Sequence, residues 1–91
     1  MRTPEGALKA AERSEEVYPR ASIDLYQQHV ERLIAGRGRS NYQVACSYLV
    51  KIRSLYEKLD KTEQWTIYIA WLRKRNSRLS SLKEELASVG L

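Results

Sequence analysis

Apolar positions recur at three- and four-residue spacing along most of this chain, and each stripe has its own stop signal. Ile23, Tyr26, Val30, Leu33 and Ile34 form the buried face of an amphipathic helix. Pro19, which is tolerated in a first helical turn and not inside a helix, marks its start at about residue 20. Gly36 and Gly38 mark its end, because glycine supplies the left-handed C-cap. Ser40 with Gln43 fits a capping box, and Tyr42, Ala45, Cys46, Leu49, Ile52, Tyr56 and Leu59 then share one face of a second helix over 41 to 59. Asp60 with Glu63, or Thr62 alone, is placed to cap a last helix. That helix carries a heptad register, with Trp65, Leu72, Leu79 and Leu86 seven apart and Tyr68, Arg75, Leu82 and Val89 between them. The register predicts one continuous helix over 62 to 89, closed by Gly90.

No segment alternates at period two, so the chain reads as all-α. Short loops force neighbouring helices to be antiparallel. The expected architecture is an antiparallel bundle of three principal helices over residues 19 to 91, with residues 1 to 18 as an N-terminal helical arm. Its hairpins resemble helical-repeat, tetratricopeptide-like packing, although helix starts near 20, 41 and 62 do not keep a 34-residue period. Leu49, Ile52, Tyr56, Trp65, Ile69 and Leu72 are expected in the core between the second and last helices, and Tyr26, Tyr42, Tyr56 and Tyr68 as packing aromatics.

A helix of about 28 residues is roughly 42 Å long, more than the preceding helices can cover. Leu79, Leu82, Leu86 and Val89 are therefore expected to overhang and to mediate self-association. The competing expectation is that the arm folds back over them with Leu8, Ala11 and Val17.

Composition narrows the class. At 91 residues the chain is one domain with a modest core. Cys46 is its only cysteine, which excludes an intramolecular disulfide and reads as a small core residue, with a reactive or dimer-bridging thiol as the alternative. The N-terminus lacks an apolar signal region, and the longest apolar run, Ile67 to Leu72, is too short to span a bilayer. A cytoplasmic protein with no membrane contact is expected.

Sixteen Lys and Arg against eleven Asp and Glu give a formal charge of +5. Basic residues run without an acid from Arg32 to Arg53 and from Arg73 to Lys83, while acids gather at Glu5 to Glu16 and Glu57 to Glu63. A solvated helical face explains such runs. A nucleic-acid contact built on Arg37, Arg39, Arg73, Lys74, Arg75 and Arg78 is the alternative.

Candidate chemistry is sparse. His29 is the only histidine, so a multi-histidine metal site within one chain is excluded, and its place on a helix flank makes it a surface or rim residue. Glu15 with Glu16 and Glu84 with Glu85 are sequence neighbours pointing about 100° apart on a helix, which suits solvated helix ends better than an acid-base pair. The Gly-Arg-Gly-Arg loop lacks the pattern of a phosphate loop and serves as a helix cap, with an anion held by Arg37 and Arg39 as the alternative. No catalytic residue, cofactor, metal or small-molecule substrate is expected. Trp71 lies off the heptad line, either because the last helix is buried on two sides or because Ile67, Trp71 and the Lys74 stem form an exposed patch with Lys74 and Arg78 as its charged rim.

Several segments carry a family resemblance: Tyr26 to Ile34, Asn41 to Ala45 with Tyr48 and Leu49, Leu55 to Leu59, Glu63 to Trp65, Tyr68 and Ile69, and Leu82 to Leu86. Together they resemble the helical C-terminal region of prokaryotic SWIM zinc-finger proteins, over about residues 17 to 91. The Cys-x-Cys and Cys-x-His zinc signature of that family is absent from this sequence. The resemblance implies a helical module that accompanies a zinc-binding part in larger relatives, and carries over no ligands. The expected function is a non-catalytic interaction or scaffold module whose partner is itself or another protein, with a nucleic-acid-binding accessory domain as the alternative.

Overall fold

The computed structural model describes residues 15–91 together with Lys9, Glu12 and Arg13. The expected apolar contacts of Ala7, Leu8 and Ala11 in the arm fall outside the described residues. Lys9, Glu12 and Arg13 are helical, and four helices then follow: α1 (Pro19–Gly36), α2 (Arg39–Lys58), α3 (Thr62–Arg75) and α4 (Ser80–Ser88). No strand occurs among the described residues, and the fold is all-α.

Pro19 opens α1, and Ile23, Tyr26, Val30 and Ile34 are buried along it as the stripe predicts. The turn after α1 is tighter than expected. Gly36 is still helical, Arg37 and Gly38 take φ of 64° and 101°, and α2 begins at Arg39. Ser40 therefore lies inside the first turn rather than at its cap, and no side chain caps this end. The polar residue that closes the turn is Asn41, whose Nδ2 donates to the Leu33 carbonyl at 3.2 Å.

Asp60 also departs from its expected role. It does not cap α3, but sits just past α2 with φ of 57°. Its N–H donates to Glu57 O at 3.0 Å and Lys61 N–H donates to Tyr56 O at 2.8 Å, the paired bonds that end a helix through a left-handed residue. Gly90 repeats the device after α4 with φ of 78°, Leu91 N–H reaching Leu86 O at 2.8 Å.

The principal correction concerns the last third of the chain. The single helix expected over 62 to 89 is broken at Asn76 to Leu79. Asn76, Ser77, Ser80 and Ser81 cluster there, residue types whose side chains compete for backbone partners. Asn76 does so, since its Nδ2 and its own N–H both donate to Leu72 O, at 2.9 and 3.1 Å. The chain turns and α4 folds back against α2.

Leu82 and Leu86, expected to overhang, are each 1% exposed inside the chain's own core. Leu79 is half-buried against the same core, and only Val89 of the four is exposed. Of the arm residues expected to cover them, Val17 is 68% exposed, and Leu8 and Ala11 lie outside the described residues. The heptad spacing survives the break because α3 and α4 both lay their apolar residues on α2. Helix α2 packs against each of α1, α3 and α4, and contributes Tyr42, Ala45, Cys46, Leu49, Ile52, Leu55 and Tyr56 to the core. Trp65 and Leu72 complete it from α3 as expected, while Ile69 is only half-buried.

Candidate interaction surface

Helix α3 lies on the fold with Trp65 and Leu72 turned inward. At about 100° per residue, the line opposite that buried face runs through Glu63, Ile67, Ala70 and Lys74. All four are exposed, and Ile67 is 70% exposed, a large aliphatic side chain at the outermost position of the helix. Trp71 flanks this line at 43% exposure. Its ring stacks on Tyr68 with centroids 5.9 Å apart, and the Arg75 guanidinium lies over it, 5.3 Å from the ring centre. Tyr68 is anchored in turn, its hydroxyl 3.4 Å from the Glu31 carboxylate that accepts from it. Burial and that carboxylate push the Tyr68 hydroxyl well above the ordinary tyrosine range, so it stays a donor. Trp71 thus contacts both Tyr68 and Arg75 and remains 43% exposed.

The basic residues divide into three groups. Arg37, Arg75 and Arg78 line one cavity of about 420 Å³ between the end of α1 and the α3–α4 turn, together with Glu31, Asn76 and Ser77 over a floor of Ile34, Leu72 and Leu79. Arg73 and Lys74 are exposed on α3 outside that cavity. Arg39 is engaged within the chain: Nη2 reaches Glu84 at 2.8 Å and Nη1 reaches Glu85 at 2.6 Å. The hydrogen bonds that Arg39 donates to Glu84 and Glu85 raise its pKa above the ordinary value. The pairing answers for Glu84 and Glu85, which join α4 to the start of α2, and it commits Arg39 to carboxylates rather than to an anion shared with Arg37.

Two further clusters have structural roles. Glu15 accepts from the Tyr26 hydroxyl and lies 3.1 Å from Lys51 Nζ, with that ammonium 5.4 Å from the centre of the Tyr26 ring. Burial acts to raise the Glu15 pKa, and the two hydrogen bonds outweigh it, leaving it below the usual value. The contact fastens the segment before α1 to α2. His29 is half-buried, edge-on to Tyr48 at 5.0 Å, and its Nδ1 is shielded from solvent without a hydrogen-bond partner. Burial, with Arg32 nearby, lowers its pKa. Cys46 is in the core, and burial pushes its thiol up to about 11. Among the described residues no three His, Cys, Asp or Glu side chains gather as a metal site, and no helix is long and apolar enough to cross a membrane.

Ile67, Trp71 and Lys74 are exposed as the patch alternative expects, whereas Glu63 and Ala70 had no place in that patch. The signal for those two is the stripe opposite the buried seam, where an isoleucine stands among polar and small residues.

No family model matches the chain, and no solved structure matches it. The chain is similar to the uncharacterized protein YwqB of Bacillus subtilis, with 41% identity over 68 residues. The match takes in 75% of this chain and spans 13% of that relative's length.

Proposed function

We propose that this chain is a non-catalytic helical interaction module that associates with copies of itself. The observation that carries the reading is the exposed Ile67 and Trp71 on α3, with Trp71 in contact with Tyr68 and Arg75. Exposed aromatic and aliphatic side chains with a charged rim are the composition of a binding patch. Similarity to a small part of a much longer protein fits a module of a larger chain. So does the resemblance to the helical C-terminal region of SWIM zinc-finger proteins, and the reduced, buried Cys46 fits a cytoplasmic setting. Light scattering over a concentration series tests the reading: a particle heavier than one chain supports it, and one chain's mass throughout overturns self-association.

A nucleic-acid-binding role is the second reading, favoured by the three arginines that converge on one cavity. Binding to generic duplex DNA that weakens steeply with salt would support it. No binding at low salt would remove it.

A further inference from the structure

From the order of residues along the outer line of α3 we infer that two copies of the chain pair through this helix, antiparallel, about a two-fold axis beside Ile67 and Ala70. The inference rests on the self-association reading and adds its surface and register. A two-fold interface brings the same patch of both copies together, so the patch must complement its own reversed image. The line Glu63, Ile67, Ala70, Lys74 does so, because its spacing of four, three and four reads the same in both directions. Reversed against itself, it sets Glu63 of one copy opposite Lys74 of the other at both ends, and Ile67 opposite Ala70 twice in the middle. The small Ala70 leaves room for the larger Ile67 of the partner.

The charges along α3 are segregated as that arrangement needs. Glu63 is the acid of its first turn, and Arg73, Lys74 and Arg75 occupy its last. A parallel pairing would place like charges together, whereas the antiparallel one places opposite charges together. None of the three ion pairs among the described residues uses Glu63 or Lys74. Trp71, one step to the side, closes over the flank with Arg75. The helix has 14 residues and is roughly 21 Å long, so the contact belongs with small, weakly associating interfaces. Pairing should therefore show at high micromolar concentrations rather than nanomolar ones.

Charge exchange tests the register with the whole chain. Glu63→Lys and Lys74→Glu are made separately, and each variant is sized by sedimentation alone and in an equal mixture. Each alone sets like charges opposite one another and should remain a single folded chain at concentrations where the parent pairs. In the mixture, one end of the contact joins the two exchanged side chains and the other joins the native Glu63 to the native Lys74. Opposite charges then meet at both ends, and the two-chain particle should return. Circular dichroism establishes that both variants keep the parent helicity, and Ile67→Glu serves as a third variant, folded but unpaired. If the parent pairs while the mixture stays single, or while either variant pairs as well as the parent, the α3 register is overturned and self-association by another surface stands. A parent that is a single chain at every concentration overturns both.

Discussion

Asn41 donates its side-chain amide to the Leu33 carbonyl across the α1–α2 turn, and the contact exists because Gly36 has no side chain. A Cβ at residue 36 would stand 2.9 Å from Asn41 Nδ2. Inside a helix, alanine is favoured over glycine by about 1 kcal/mol. Here that gain conflicts with a hydrogen bond worth about 1 kcal/mol. Gly36→Ala should therefore stabilise the Asn41→Ala variant by about 1 kcal/mol and the parent by clearly less. Urea unfolding of the four proteins measures the difference, and equal effects in both backgrounds would remove the coupling.

Asp60 holds a left-handed backbone that glycine adopts freely. Asp60→Gly should raise stability by about 1 kcal/mol, while Asp60→Ala should not raise it. Thermal melts of the pair decide this, and a less stable glycine variant would mean that the Asp60 side chain contributes more than its backbone strain.

Leu82 and Leu86 lie in the core of a single chain, so Leu82→Ala should lower stability by about 2 to 5 kcal/mol at any protein concentration. Val89→Ala, at an exposed position, should change it by less than about 0.5 kcal/mol. A loss at Leu82 that appears only when the protein is concentrated would restore the overhanging-helix picture.

The shielded imidazole of His29 ties stability to pH. Its folded pKa is below the ordinary 6.5, so the unfolded chain binds the proton more readily. Its contribution is complete above about pH 6.5 and is lost as pH falls through the lowered folded value. Urea midpoints between pH 7.5 and 5.5 should fall more for the parent than for His29→Gln. Parallel profiles would show that His29 is not the responsible group.

Cys46 should be inert to a thiol reagent in the folded protein, being buried and far from its reactive ionised form at neutral pH. Labelling should track urea unfolding. Rapid labelling without denaturant would place the thiol at the surface.

The stripes of α1 and α2 and the inward face of α3 were legible because burial on one side of a helix leaves a period near 3.6 in the sequence. The break after Arg75 was not, since the leucines keep a seven-residue spacing across it. Arg75 in a nominal seam position and the Asn76, Ser77, Ser80, Ser81 cluster were the local warnings, outweighed by the apolar rhythm. Asp60 misled for a related reason: the residue types that start helices also tolerate the left-handed conformation that ends them. On α3 the sequence left two accounts of Ile67 and Trp71 open, burial on two sides or an exposed patch, and only the fold, in which no second element covers Ile67, decides between them.

The position of α2 between α1, α3 and α4 has a consequence for how the molecule comes apart. Its partners meet it far more than they meet one another, so the fold is wired like a hub with spokes. A spoke can loosen while the others remain seated, and α3 and α4, each with two buried side chains in the core, are the shorter spokes. Loss of the hub is different in kind. Without α2 no pair of remaining helices retains a shared core, and amide protons of α2 should exchange last and together.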